Sequence, residues 1–177
     1  LNQANKKLSA ENRRVKEEIQ QVRQSKAQLE LEKDSLSETV NKAMVLRTEN
    51  ISAVPINERG KEKYKADKIN KIKVCFTIEE NVVAKPGNRY AYIRIAAPPD
   101  DFILTNSADN LFEFKGKNMI YSARRPFDYT GEALDLCVYF DSKGELKPGT
   151  YEVYIFADGY EIGKTSFDVE ESGWLFF

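Results

Sequence analysis

Apolar positions in the first fifty residues recur at alternating intervals of three and four. One row is Leu1, Leu8, Val15, Val22, Leu29, Leu36 and Ala43, apolar at every step. The other is Asn5, Asn12, Ile19, Lys26, Lys33, Val40 and Arg47, and it is mostly polar. A strict seven-residue repeat held this long imposes a left-handed supercoil, because a straight helix drifts off that register. We assign the first row to d and the second to a. Every Gly, Pro and aromatic residue lies after residue 50, so nothing in the stretch breaks a helix or builds a globular core. The pattern predicts a coiled coil over residues 1–50.

The a row bears on the assembly. Asn at a costs stability and specifies register, and Asn5 and Asn12 fall in successive heptads. Lys26, Lys33 and Arg47 can snorkel out of a two-stranded seam, which is harder in a wider bundle. In this register Glu11 and Glu18 are g positions, and Lys16 and Arg23 are the e positions five residues on. Those are the attractive pairs of a parallel arrangement. A parallel homodimer is therefore expected, seamed by Leu1, Asn5, Leu8, Asn12, Val15, Ile19, Val22, Leu29, Leu36 and Val40. A higher or antiparallel oligomer and a single solvated helix remain the alternatives.

After residue 50 the period switches to two. The helix is expected to end between Asn50 and Val54, since Pro55 disfavours helical geometry in the residue before it. Residues 51–60 read as a linker or first strand, and Lys61 to Ala66 as an edge strand. Ile72, Val74, Phe76 and Ile78 share one face of the clearest strand, and Leu134, Leu136, Val138 and Phe140 one face of another. Lys115-Gly116-Lys117-Asn118 reads as a hairpin turn. Asp158-Gly159, between two alternating runs, is the strongest hairpin signal. Seven to nine short strands without a helical period predict an antiparallel β-sandwich over residues 61–171. That rhythm, with Gly-Thr-Tyr-Glu-Val-Tyr-Ile at 149–155, resembles an immunoglobulin-like domain. The fold class expected is thus an N-terminal coiled coil plus an all-β, immunoglobulin-like antiparallel sandwich.

Cys75 and Cys137 sit on the two strongest strands. Their spacing resembles the inter-sheet disulfide of immunoglobulin domains, but both lie on the face opposite their strands' apolar rows. No Trp stands between them. Two buried free thiols are expected. The alternative is a cross-strand disulfide, which would need the two strands adjacent.

Charge narrows the function classes. Residues 1–50 carry a net +2 and the remainder −3, neither basic enough to suggest nucleic acid. The absence of His removes Ser-His-Asp and Cys-His catalysis and the commonest transition-metal ligand. No phosphate loop, nucleophile elbow or calcium-loop spacing is present. No enzyme activity, no cofactor and no metal site are expected. Arg124-Arg125-Pro126-Phe127 reads as an ordinary loop, with a small anion or partner contact as the alternative. Residues 172–177 form an apolar tail. Trp174, Leu175, Phe176 and Phe177 are expected to fold back on the sandwich or to dock a partner.

The sequence begins with Leu, within the repeat, and reads as part of something longer. The heptads up to Ala43, the run from Lys65 to Ile78, and Leu136-Cys137-Val138-Tyr139-Phe140 together resemble a family of bacterial envelope proteins, best represented in the Bacteroidota. The resemblance implies a membrane anchor upstream of Leu1, a cell-envelope or periplasmic location, and no particular reaction. The function expected is structural: a dimeric coil spaces and presents a sandwich that binds a protein partner or supports an assembly. One alternative is a carbohydrate-binding module with Tyr90, Tyr92, Tyr139, Tyr154 and Tyr160 as its platform. Another is a secretion-sorting domain.

Overall fold

The computed structural model describes residues 1–173, and the chain divides into two compact units, Leu1–Ala43 and Met44–Phe177. Trp174–Phe177 lie outside the described residues.

The first unit belongs to helix α1, Asn2–Met44. Its 43 residues span about 65 Å at 1.5 Å each. Exposed i,i+4 pairs run along it: Arg14 to Glu18 at 3.1 Å and Lys42 to Glu38 at 2.8 Å. Such pairs contribute only ~0.2–0.5 kcal/mol each. No residue of α1 is buried.

The helix stops about six residues short of the boundary at residue 50. Leu46 is the reason: it is 2% exposed in the core of the second unit. Burying a leucine is worth ~1.5–3 kcal/mol, more than continuing the helix offers. Arg47, assigned to the seam, lies outside the helix, and its carbonyl accepts the Glu79 N–H.

Among its described residues the second unit contains ten strands: β1 Thr48–Ile56, β2 Lys71–Ile78, β3 Gly87–Ala97, β4 Phe102–Ile103, β5 Leu111–Phe114, β6 Lys117–Ile120, β7 Ala123–Tyr129, β8 Leu134–Asp141, β9 Gly149–Ala157 and β10 Tyr160–Val169. One antiparallel sheet runs β1-β2-β8. The second runs β10-β9-β3, and the far side of β3 pairs with β7 and then β4. The inner faces meet in one core. Ile72, Val74, Phe76 and Val138 from the first sheet pack with Ile93, Ile95, Val153 and Ile155 from the second. All eight come from period-two rows, as a half-buried strand requires.

The sheet edges are close at both sides. The Thr48 hydroxyl donates to the Ile162 carbonyl, joining β1 to β10. Arg125 donates to the Cys137 carbonyl at 2.7 Å, joining β7 to β8. At the bend before β9, the Tyr151 hydroxyl donates to the Lys147 carbonyl at 2.9 Å. A tyrosine bonded back to the chain in this way marks the corner of Greek-key sandwiches.

Two segments differ from the sequence reading. Lys61 to Ala66 is no edge strand. The Asn57 side chain accepts the Arg59 and Lys61 N–H groups, holding a loop, and Ala66 opens a short 3₁₀ turn with its side chain buried. Arg124-Arg125-Pro126-Phe127 is not a loop but the body of β7. The strand pairs on one side only, with β3, and its Pro is tolerated there as edge strands allow. Both hairpins turn on two residues at positive φ, Lys115-Gly116 and Asp158-Gly159. The first turn is thus two residues shorter than expected, and Lys117 and Asn118 belong to β6.

Candidate functional site

The seam residues of α1 form an exposed stripe. Leu8, Val15, Ile19, Val22, Leu29, Leu36 and Val40 are all large, apolar and exposed, with Leu29 at 64%. The flanking Leu1, Asn5 and Asn12 are exposed too. None of these side chains is buried.

Cys75 and Cys137 are paired, with their Cα atoms 4.1 Å apart. The expectation of two buried free thiols is thereby corrected. β2 and β8 are neighbours, and the register sets Cys75 directly opposite Cys137. The reading of the faces was sound, because both cysteines are half-buried on the side away from the core. The bridge therefore crosses one sheet and does not connect two. Thr77 donating to Asp135 at 2.6 Å and Lys71 paired with Asp141 at 3.2 Å cross the same two strands.

The five tyrosines do not converge on one platform. Tyr139 is exposed on the β1-β2-β8 sheet. Tyr160 stands at the β9–β10 turn. Tyr92 is stacked on Phe112 with centroids 4.7 Å apart, under the β5–β6 hairpin. That hairpin folds over the outer face of the second sheet and closes a small aromatic core of Phe112, Tyr121 and Phe156, which Tyr154 and Phe114 flank. Tyr90 remains 43% exposed at its margin, with the Arg124 guanidinium 4.8 Å from its ring centre. Arg94 is bound within this face, donating to the Ile120 carbonyl at 2.8 Å, and burial lowers its pKa from the ordinary value.

A concavity lies beside Ala97, at the end of β3. It holds about 210 Å³ and is walled by Pro98, Pro99, Phe102, Leu104, Leu146 and Tyr151, with Asp100, Glu145 and Lys147 among its lining. The Pro98–Pro99 peptide is cis. Phe102 is 68% exposed although it belongs to a strand. Sequence reasoning missed this pocket. The signal available was Pro98-Pro99 followed by a strand of only two residues, too short to bury its own aromatic ring.

Among the described residues, no group of three or more His, Cys, Asp or Glu side chains is placed to hold a metal ion. No helix among them is long and apolar enough to cross a membrane.

No curated protein matches the chain. Among solved structures, three that resemble it do so at low identity. Pseudomonas fluorescens alkylpurine DNA glycosylase AlkC bound to abasic-site DNA is 12% identical over 72% of this chain and 30% of its own, with a TM-score of 0.40. The β-glucosidase of Kluyveromyces marxianus is 10% identical over 68% of this chain and 15% of its own, also at 0.40. The β-glucosidase of Listeria innocua in complex with glucose is 14% identical over 74% and 17%, again at 0.40. The chain thus spans less than a third of each of these proteins. A family model is more direct: it matches residues 49–170, from β1 to the residue after β10, and covers most of the chain. The chain belongs to the family described as Domain of unknown function (DUF8428).

Proposed function

We propose that the chain is a structural and interaction protein in which α1 pairs in parallel with a second copy and so displays two sandwiches. The observation that carries this reading is the unburied apolar stripe of α1. A 43-residue helix with no buried residue keeps its large apolar side chains at heptad spacing. A polar surface would serve a solitary helix as well, and a second copy gives the stripe a use. Asn5 and Asn12 would pair across the seam and hold the register. Glu18, bonded to Arg14 within one chain, would exchange that exposed contact for Arg23 of the second copy.

The sandwich is the presented domain. Its strand order and the Tyr151 corner support an immunoglobulin-like reading. A half-exposed cystine supports an oxidising compartment, in line with the resemblance to envelope proteins. We assign it no reaction and no cofactor, and its partner would be a protein.

Sedimentation equilibrium of the full chain tests the reading. The wild-type chain should be a dimer, and Val22→Glu with Leu29→Glu should make it a monomer with an unchanged β-sheet circular dichroism signal. A wild-type monomer at every concentration, or a double variant that stays dimeric, would overturn it.

A further inference from the structure

We propose that the outer face of the second sheet at Arg124 is where the sandwich takes an acidic peptide segment of its protein partner. This rests on the reading of the sandwich as the presented domain, and it does not depend on the pairing of α1.

Arg124 differs from its neighbours in what holds it. β3 and β7 carry four arginines. Arg89 donates to Asp158 at 2.6 Å, Arg94 to the Ile120 carbonyl at 2.8 Å and Arg125 to the Cys137 carbonyl at 2.7 Å. Arg124 is exposed and has no hydrogen-bond acceptor and no carboxylate partner among the described residues. Its guanidinium lies instead over aromatic rings, 4.8 Å from the centre of Tyr90 and 5.7 Å from that of Tyr121. The register accounts for this placement, since Arg124 stands opposite Tyr92, and Tyr90 opposite Pro126. Stacking fixes the planar group without using its N–H donors, which stay available to an acceptor.

Charge selects the ligand. A guanidinium fork matches a carboxylate, which accepts two N–H bonds at once. Lys115 is a second cation on the same aromatic cluster, over Phe114 at 5.1 Å, and it has no carboxylate partner among the described residues either. Lys164, over Tyr154, is already paired with Glu152 at 3.2 Å. Two unpaired cations suit a segment with more than one carboxylate. A sugar fits less well, because the guanidinium covers the Tyr90 ring on which it would stack, and Tyr92 tilts against that ring at 6.0 Å. Arginine and tyrosine are also side chains that dominate contacts between proteins.

The test is the binding of fluorescein-labelled hexaglutamate to the full chain, read by anisotropy. The wild type should bind it and should not bind hexaserine. Arg124→Gln should weaken binding about fivefold, at the upper end for an exposed charged pair, with an unchanged β-sheet signal. Arg59→Gln removes an exposed arginine of the loop at 57–61 and should change nothing. The chain with Val22→Glu and Leu29→Glu should bind like the wild type, which separates a failure here from a failure of the coil. No binding by the wild type overturns the proposal. So does binding that Arg124→Gln leaves unchanged, or an equal loss in Arg124→Gln and Arg59→Gln, which marks attraction by charge in general. Loss in the Val22→Glu, Leu29→Glu chain overturns it by placing the site on α1. Oligogalacturonate bound more tightly than hexaglutamate, with the same loss in Arg124→Gln, also overturns it and gives the face to an acidic glycan, while a dimer in sedimentation would stand.

Discussion

Cys75 and Cys137 face each other across one rung of the β2–β8 ladder, on the side of the sheet turned away from the core. The bridge adds nothing to core packing. Its effect falls on the unfolded chain, where it closes a loop with a sequence separation of 62. Loops of that size are worth ~2–4 kcal/mol by restricted chain entropy.

The first prediction follows. Cys75→Ala with Cys137→Ala should lower the urea midpoint by the equivalent of ~2–4 kcal/mol while the sandwich still folds, because no inward-facing side chain is lost. Wild-type protein in reductant should match the variant. A midpoint unmoved by both treatments would show that the bridge does not restrain the unfolded chain.

The Tyr151 corner gives a pH prediction. Burial raises the phenol pKa above its ordinary 10.0. Tyr129 is raised for the same first reason, and its hydroxyl donates to the Glu79 carbonyl at 2.7 Å. A group whose folded pKa is raised contributes stability in full below its unfolded pKa, and that stability falls as pH rises through the folded value. Stability should therefore hold up to about pH 10 and decline above it. Tyr151→Phe should cost about 1 kcal/mol at neutral pH. The difference in Tm between wild type and variant should shrink as pH climbs past 10, and a gap that grows there would reverse the sign argued for this hydroxyl.

The small aromatic core under the β5–β6 hairpin should behave as a unit of its own. Phe112 stacks on Tyr92 and tilts against Phe156 at 5.2 Å, and none of these rings belongs to the main core. Phe112→Ala should cost ~3 kcal/mol locally. Amide exchange should accelerate across residues 111–120 and change little in β2 and β8. Equal acceleration in all three places would mean that the hairpin and the sandwich unfold together.

What the sequence disclosed depended on whether one physical signal governed a segment. Ile72 to Ile78 alternates, and burial on one face decides its register, so both the strand and the outward cysteines were legible. Adjacency of β2 and β8 was not, because strand order is a long-range property that no local pattern carries. Arg124-Arg125-Pro126 reads as a loop by composition, yet β3 supplies it with a ladder. Leu46 lies within the stretch expected to be helical but in neither row of the repeat, and only tertiary burial places it in the sandwich core. The pocket had no sequence signature beyond its prolines, since its walls come from three separate stretches around residues 97–104, 145–147 and 151. The apolar stripe of α1 was legible in its period.

The contact between the two sheet edges supplies the last prediction. Gly163 on β10 sits against β1, and a Cβ built there would lie 2.5 Å from Thr48 Oγ1 and 2.8 Å from Ile51 Cδ1. Its backbone does not require glycine, so the restriction is space alone. Gly163→Ala should push β1 from β10 and cost ~1–3 kcal/mol, the usual range for overpacking. Thr48→Ala should cost about 1 kcal/mol by removing the hydroxyl that bonds the Ile162 carbonyl. The two changes share one contact, so they should not add. With Thr48 already truncated, the new methyl meets one obstacle fewer, and the double variant should be more stable than the sum of the singles by 0.5 kcal/mol or more, on the order of couplings between touching residues. Urea unfolding of the four chains measures that coupling directly. Strict additivity would mean that Ile51, and not Thr48, is what excludes a side chain at Gly163, and Ile51→Val would then be the substitution that relieves it.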